Sequence, residues 1–287
     1  MASSTYSKKG YLYSNFKIFH LKDSGLGEID FHYHDFHKIL IHMAGNTSYS
    51  IEGQTFDLQS NDIVFVSAGE VHRPIFHDAL EYERIIIYVS KEFLAEYSRD
   101  DNDLSLCFKN AIDNNSHVLR LRSFKNSKVA DITNHLVSSM GDKAYANDLY
   151  MQVLFLELMI ELNRAALENQ VEYISTSYAD SRINSVIEYI NENCDKELSV
   201  DSLSKTFYLS RYYLMHTFKE ETGYTLMSYI TLKRLSAAQA LIDAGETVTA
   251  AATTAGFNSY SSFLRAYKKT YGHAPGKKGT SQASLSF

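Results

Sequence analysis

The sequence predicts an α+β protein in which a strand-rich first part is followed by helices. Residues 11–90 contain short β-branched and aromatic runs separated by turn signals, a pattern typical of β-strands. From residue 129 onward the apolar residues recur every three or four positions instead, as they do on one face of an amphipathic helix. With 287 residues, the chain is long enough for two domains that each have their own core.

The strand-rich part, which we assign to residues 1–127, predicts a β-sandwich or barrel. Turn signals such as Gly45-Asn46 and Glu52-Gly53 separate its apolar runs. Many short strands at close spacing are typical of these two architectures. The runs that we interpret as strands are "KILIHMA", "TSYSIEG", "QTFDL", "DIVFVSA" and "ERIIIYVS".

The middle of the chain predicts helices and then a connection. Residues 128–167 carry an apolar stripe that either packs on the β-rich part or pairs two copies of the chain. The stripe consists of Leu149, Val153, Leu156 and Ile160. The polar stretch "ENQVEYISTSYAD", residues 168–180, has little periodicity and predicts a linker. The tail, residues 279–287, predicts disorder.

The stretch "LSVDSLSKTFYLSRYYLMHTFKEETGYTLMSYI", residues 198–230, predicts a helix-turn-helix unit. A short first helix ends at the turn Tyr208-Leu209, and Ser210 can cap a second helix. Gly223 ends that second helix. In helix-turn-helix proteins the second helix enters the DNA major groove.

The same layout recurs in "TVTAAATTAGFNSYSSFLRAYKKTYGHAP", residues 247–275, where Gly256-Phe257 forms the turn and Ser259 caps the second helix. The intervening "TLMSYITLKRLSAAQALIDAG" supplies about 20 good helix formers, equivalent to a rod of about 30 Å. One duplex turn is about 34 Å, so this rod can hold two recognition helices in successive major grooves. Residues 181–278 are therefore interpreted as a DNA-binding domain.

The charge distribution places any polyanionic partner at the helical end. The formal net charge of the chain is −6. Residues 182–278 carry 12 Lys and Arg against 9 Asp and Glu, whereas residues 1–180 carry 16 against 25. The last third is the only part with a basic balance, which favours binding of nucleic acid there.

The helical end resembles the DNA-binding domain of the AraC/XylS-type transcriptional regulators over roughly residues 183–277. The resemblance is carried by "YLSRYYLMHTFKEETG", "RLSAAQALI" and "AGFNSYSSFLRAYKKTYGHAP". The glycine-phenylalanine turn followed by "SSFLRAYKKTYG" and Pro275 is highly specific. The resemblance implies a regulator that binds double-stranded promoter DNA as a homodimer, and that contacts RNA polymerase if it is an activator.

On each recognition helix, the face opposite the predicted core is expected to contact DNA. Leu214 and Phe218 face inward on the first helix, as Phe263 and Tyr267 do on the second. We expect Arg265 to bind guanine, because a guanidinium can bond both of the base's acceptors. The residues predicted to contact DNA are Ser210, Arg211, Tyr212, Met215, His216, Lys219, Ser259, Ser261, Ser262, Arg265, Lys268 and Lys269.

The first recognition helix predicts a different kind of contact from the second. The resemblance places its base-reading positions on Tyr212, Met215 and His216, a set that suits thymine methyl groups or sugars better than guanine. Phosphates are expected to meet the lysines of both helices and the helix-starting N–H groups at Ser210 and Ser259.

Three histidines crowd into "FHYHDFHKIL", residues 31–40. The stretch from there to "VHRPIF" resembles the cupin barrel common at the N-terminus of AraC-type regulators. Metal-binding cupins have a His-x-His pair followed by a glutamate; here the pair is His32 and His34, but Lys38 stands at a glutamate position. The histidine of the second cupin motif survives as His72.

These histidines leave three interpretations open: metal ligands, walls of a small-molecule pocket, or structural residues. The ammonium of Lys38 opposes a dication and suits an anionic or hydroxyl-rich ligand, such as an organic acid or a sugar. We therefore predict a small-molecule effector site in a cupin-like barrel, with no metal, cofactor or catalytic residue. The predicted effector-binding residues are His32, His34, Lys38, Tyr49, His72, Tyr82 and Arg84.

The function that these patterns favour is a ligand-responsive transcriptional regulator. The alternatives are a metal-dependent cupin enzyme with a helical appendage, such as a dioxygenase or an isomerase, and a ligand-independent DNA binder. The distant Cys107 and Cys194 indicate a reducing compartment. The start "MASSTYSKKG" lacks the apolar core of a secretion signal. We therefore expect a cytoplasmic protein without a membrane segment.

Overall fold

The structure, a computed structural model, describes residues 12, 14–24, 27–78, 81–99, 101–178 and 180–276. Contacts divide the chain into two compact units at the boundary between residues 179 and 180. We call them the N-terminal unit and the C-terminal unit. The tail predicted to be disordered lies outside the described residues.

The N-terminal unit is built on two antiparallel sheets. The larger sheet has the strand order β1-β7-β2-β5-β8-β9 and the smaller one has the order β4-β3-β6. The strands are β1 (Phe16–Asp23), β2 (His37–Ala44), β3 (Thr47–Ile51), β4 (Gln54–Asp57), β5 (Ile63–Val66), β6 (His72–Phe76), β7 (Tyr82–Val89), β8 (Val118–Leu121) and β9 (Val171–Tyr173). These sheets, followed by helices, confirm the predicted α+β, cupin-like class.

The helices of the N-terminal unit cover one face of the larger sheet. They are α1 (Lys91–Tyr97), α2 (Leu106–Asp113), a 3₁₀ turn (Phe124–Asn126), α3 (Lys128–Ser138) and α4 (Asn147–Leu167). Leu158 and Leu162 of α4 are fully buried in one core with Ile39 and Ile41 of β2. Burying a side chain of this size contributes about 1.5–3 kcal/mol, so packing on the sheet accounts for the position of α4.

Two parts of this unit differ from the sequence-based assignment. Residues 1–127 contain α1 and α2 as well as strands; α1 begins where the Ser90 hydroxyl accepts a hydrogen bond from the Phe93 N–H, at 3.1 Å. The predicted linker supplies β9, which pairs with β8 through Leu119↔Tyr173. The assignment of the whole segment as a linker is therefore wrong, because a three-residue strand is too short to show a period.

The C-terminal unit is entirely helical in its described residues. Its helices are α5 (Ser181–Asn193), α6 (Val200–Thr206), α7 (Arg211–Thr222), α8 (Leu226–Asp243), α9 (Val248–Thr254) and α10 (Tyr260–Tyr271). The Ser210 hydroxyl caps α7 by accepting from the Tyr213 N–H, and the Ser259 hydroxyl caps α10 in the same way. Gly223 and Gly272 end these helices with φ of 71° and 78°, a conformation that favours glycine.

Helix α8 connects the two helix-turn-helix units without interruption. Its 18 residues correspond to about 27 Å of helix, close to the length predicted for the rod. Tyr229 packs edge-on against Phe218 of the first unit, while Leu235 lies in one core with Phe263 of the second. Across the described part of the chain, no helix combines the length and apolarity needed to cross a membrane.

Candidate DNA-binding surface and effector site

Helix α7 separates a buried face from an exposed one. Leu214 and Phe218 are fully buried. The predicted DNA-contacting side chains of this helix lie on the opposite face, where Tyr212 is 74% exposed and Met215 is 46% exposed. The other exposed members of the predicted set on α7 are Arg211, His216 and Lys219. The orientation inferred from helical periodicity is therefore the one that the structure has.

Helix α10 shows the same division with more positive charge. Phe263 and Tyr267 are buried, and their burial leaves the predicted contact residues on the outside. Those exposed residues are Ser261, Ser262, Arg265, Lys268 and Lys269. Among the residues that the structure describes, no acidic side chain forms an ion pair with Arg265, so its guanidinium is available for a partner.

On α7, by contrast, Arg211 and His216 each lie against an acidic side chain. Arg211 pairs with Asp201 of α6, with an N···O distance of 3.0 Å. His216 lies 3.2 Å from Glu220 one turn along the helix, and its ring stacks on Tyr212 at 5.5 Å. These two acidic partners were not predicted from the sequence, although Glu220 stands four positions after His216, a spacing at which helical side chains meet.

The three predicted histidines of the N-terminal unit converge. His32, His34 and His72 are all buried, and their ligand-capable nitrogens lie within 4.8 Å of one another. His32 and His72 exchange backbone hydrogen bonds of 3.0 and 2.9 Å. His32 belongs to an isolated bridge and not to a regular strand.

Backbone carbonyls fix the orientation of two of these rings. His32 Nδ1 lies 2.9 Å from the Asp30 carbonyl, and His72 Nδ1 lies 3.0 Å from the Glu70 carbonyl. Because a carbonyl oxygen only accepts, both Nδ1 atoms donate. Burial lowers the pKa of His72 well below its usual value, and the nearby Lys38 acts in the same direction. His72 is therefore neutral and offers an acceptor.

The Nε2 atom of His72 is buried and has no hydrogen-bond partner among the described residues. An unsatisfied buried polar atom costs about 1–3 kcal/mol. Such an atom in a native structure indicates a group that is satisfied by something else, such as a ligand, a water molecule or an ion.

Lys38 and Tyr49 lie beside this histidine. The Lys38 ammonium is buried and donates a hydrogen bond of 2.6 Å to the Tyr49 hydroxyl, and the Tyr49 ring stacks against His72 with 6.0 Å between centroids. Burial, with the charge of Arg84 acting in the same direction, lowers the pKa of Lys38 to about 7. The structure thus brings together donors and acceptors that suit a polar ligand.

Tyr82 and Arg84 form a second, adjacent group. Arg84 pairs with Asp23 at 2.5 Å and lies over the Tyr82 ring, 4.4 Å from its centroid. Arg84 acts on the first group through its charge, which lowers the pKa of Lys38. Tyr88 was not predicted as a site residue; it lies opposite Lys38 on the neighbouring strand, and its ring centroid lies 5.4 Å from that of His34. Its spacing of four from Arg84 along a strand places both on one face.

A metal ion is a chemical alternative for the three histidines. Three imidazole nitrogens match the donor number of catalytic zinc sites, and backbone carbonyls that orient the opposite ring nitrogens are typical of metal-binding histidines. A carboxylate is missing from the cluster, and the ammonium of Lys38 lies close enough to lower the pKa of His72. The donor atoms therefore suit a dication while the surrounding charge opposes it.

Three of the four residues in the apolar stripe of α4 are exposed. Leu149 is 60% exposed and Val153 is 51% exposed, and Ile160 is also exposed; only Leu156 packs partly against the core. The interpretation of the stripe as a surface that packs on the barrel is therefore wrong for its exposed members. Leu154, Phe155 and Leu158, on another face of α4, make that contact instead.

Comparison with known proteins agrees with both units. A model of an AraC-like ligand binding domain matches residues 28–159, and a model of a helix-turn-helix domain matches residues 203–278. The HTH-type transcriptional activator RhaS of Shigella sonnei (strain Ss046) is 26% identical over 262 residues, covering 87% of this chain and 88% of the relative. RhaS of Escherichia coli (strain SE11) has the same identity and coverage.

The solved structure of ToxT from Vibrio cholerae O395 covers 91% of this chain and 95% of its own, at 15% identity and a TM-score of 0.36. Two capped helix-turn-helix units after a ligand-binding domain define a ligand-controlled, sequence-specific DNA-binding transcriptional regulator. Over both matched regions the chain is similar to the AraC/XylS-type regulators.

Proposed function

We propose that the exposed faces of α7 and α10 read promoter DNA in successive major grooves, while a small molecule binds beside Lys38 and His72 and controls that reading. The observation that carries the DNA-binding part is the pair of capped helices joined by the unbroken α8. Its length of about 27 Å is comparable with a duplex turn of about 34 Å.

Within this proposal the two recognition helices make different kinds of contact with DNA. Arg265 of α10 binds guanine through its free guanidinium. Tyr212 and Met215 of α7 contact thymine methyl groups or sugars. Phosphates are bound by Lys219, Lys268 and Lys269 and by the helix-starting N–H groups at Ser210 and Ser259.

The Arg265 assignment is tested on duplexes selected by the full-length protein from a randomised library. Arg265→Ala should weaken binding to the selected duplex by about 1–3 kcal/mol and relax the preference at one base position. Lys269→Ala is the matched control on the same helix: it should weaken binding almost uniformly across sequences and reduce the salt slope by about 1. A band-shift titration in which Arg265→Ala changes neither affinity nor preference would contradict the assignment.

The proposed effector is a small organic acid or sugar. The buried acceptor at His72 and the buried ammonium at Lys38 support it, because carboxylate or hydroxyl groups satisfy both. An effector can shift DNA binding only if its affinity differs between the two states of the protein.

A thermal-shift screen against sugars and organic acids tests the effector proposal. At about 100 times its dissociation constant a true effector adds about 2.7 kcal/mol of stability. Lys38→Met should abolish that shift, while the helix-turn-helix units continue to bind the selected duplex. An effector that stabilises Lys38→Met as well as the unsubstituted protein would place its site elsewhere.

We further propose that the exposed α4 stripe pairs two copies of the chain, because a symmetric pair doubles the contacted DNA. Val153→Glu should then convert a dimer into a monomer in sedimentation equilibrium. If the protein is an activator, it also contacts RNA polymerase. These roles belong in the cytoplasm.

No catalytic role is part of the proposal. The competing function is a metal-dependent enzyme that uses His32, His34 and His72. Stoichiometric iron, manganese or zinc in the purified protein would favour that competitor. Metal-free protein that retains DNA binding and its effector response would reject it.

A further inference from the structure

A short loop of the C-terminal unit, Cys194–Lys196, is held by hydrogen bonds from the connecting helix α8. Arg234, in the middle of α8, donates from Nε to the Cys194 carbonyl and from Nη2 to the Lys196 carbonyl, both at 2.6 Å. A guanidinium presents its donors in a rigid fork, and charge-assisted bonds of this length are among the stronger hydrogen bonds. The loop, which leads from α5 into α6, is therefore fixed on α8.

The second helix-turn-helix unit contacts the same loop from another element. Gly256, in the turn before α10, has φ of +88°, and a Cβ atom on it would lie 2.5 Å from the Asp195 carbonyl oxygen and 2.8 Å from the Asp195 Cα. These neighbours are backbone atoms, which cannot rotate away as a flexible side chain can. Any side chain at this position forces the turn away from the loop.

The loop thus touches both helix-turn-helix units and the rod between them. Its C-terminal end leads into α6, the first helix of the first unit, and its middle residue meets the turn of the second. A single helix joining two units fixes their separation but resists rotation about its axis less well. A second attachment away from that axis removes the rotational freedom.

We propose that Arg234 and Gly256 are positioning residues that set the rotation of α10 relative to α7, and with it the number of base pairs that the protein accepts between its two contact sites. The inference rests on the proposed use of both helices in DNA reading. Neither residue needs to touch DNA for this role.

The test uses duplexes that the full-length protein selects from a randomised library, with the two contacted segments located by interference footprinting. One base pair is then inserted or removed between the segments. Each step moves the second site by about 3.4 Å and rotates it by about 35°. The unsubstituted protein should lose affinity at least about tenfold, comparable with the loss for a mismatched base pair.

Gly256→Ala should reduce this spacing penalty to about threefold or less, because a displaced turn lets α10 follow the moved site. Gly245→Ala is the matched control, because Gly245 also has a positive φ, +97°, but no atom lies within 4 Å of its Cβ position. The control introduces similar backbone strain without the collision, so it should keep the full penalty.

Arg234→Lys keeps the charge but cannot bridge two carbonyls as a guanidinium does, so it should also lose spacing discrimination. Lys269→Ala, which removes a proposed phosphate contact, should weaken binding by the same factor at every spacing. Circular dichroism melts establish that each variant is folded at the assay temperature.

Affinity that falls equally at all spacings in folded Gly256→Ala and Arg234→Lys would overturn the proposal, since it indicates stabilisation alone. Arg234→Lys that behaves as the unsubstituted protein would also overturn it. Loss of spacing discrimination supports the proposal whichever residues of α10 touch bases, whereas Arg265→Ala reports on the proposed base contact. The two proposals can therefore fail separately.

Discussion

The two units place their candidate functional side chains in opposite environments. The N-terminal unit buries Lys38 and His72 inside a β-rich core, whereas the C-terminal unit holds Arg265 and the lysines of α10 on its surface. A polyanion is recognised from outside, so its partners must stay in water. A small ligand is recognised by groups removed from water, whose pKa values shift as a result. Burial accordingly lowers the pKa values of Lys38 and His72 in the N-terminal unit.

The largest expected effect tests whether the two units are separate folding units. Phe263→Ala removes a fully buried ring from the core of the second helix-turn-helix unit and should destabilise the C-terminal unit by about 3–5 kcal/mol. In scanning calorimetry the unfolding transition of the C-terminal unit should move to a lower temperature, while that of the N-terminal unit stays in place. Tyr212→Ala, an exposed aromatic on α7, should change stability by no more than about 0.5 kcal/mol. A single transition that moves as a whole would contradict the division.

An intermediate effect should distinguish the units by pH. Burial, together with the charge of Lys91, lowers the pKa of His37 to about 3. The unfolded chain binds this proton below about pH 6.5 and the folded chain does not. The free energy of unfolding of the N-terminal unit should therefore keep its full value above pH 6.5. It should fall by about 1.4 kcal/mol per pH unit as the pH drops towards 3.

Urea unfolding of the full chain between pH 8 and pH 4, followed through the transition of the N-terminal unit, measures this slope. The lowered pKa of His72 adds to it in the same direction. His37→Leu should flatten the curve, because the leucine has no proton to bind. An unchanged slope in His37→Leu would remove that histidine from the explanation.

The smallest expected effect concerns the ion pair between Arg211 of α7 and Asp201 of α6. Asp201→Asn removes the carboxylate that holds Arg211. Both side chains are exposed, so the pair is worth no more than about 1 kcal/mol. Affinity for the selected duplex should rise by about fivefold or less, and Glu220→Gln should act in the same direction through His216. Weaker binding by Asp201→Asn would show that the pair orders α7 for DNA.

The C-terminal unit was predictable because its signals are local. Cap serines at Ser210 and Ser259, stop glycines and apolar residues spaced by three or four define each helix and its buried face. The contacts of Arg234 and Gly256 with the loop Cys194–Lys196 were not predictable, because they involve backbone atoms far away in sequence. Hydrogen bonds to backbone atoms have no side-chain signature at the receiving end.

The N-terminal unit was predictable in class but less so in detail. The pattern of short strands indicated the sheets, and His32, His34 and His72 do converge. β9 escaped detection because it has three residues and depends on pairing with β8. Tyr88 was missed because its relevance comes from the register of β2 against β7, which places it opposite Lys38. Register is set by contacts between strands and not by the composition of either.

The unequal pairing of the two arginines bears on the order of events during a DNA search. Within the described residues no ion pair joins the three cations of α10 to an acidic side chain, whereas Arg211 of α7 is held by Asp201. If both helices read DNA as proposed, we expect the second helix-turn-helix unit to make the earliest electrostatic encounter. Capture of the DNA and inspection of its sequence would then fall to opposite ends of α8.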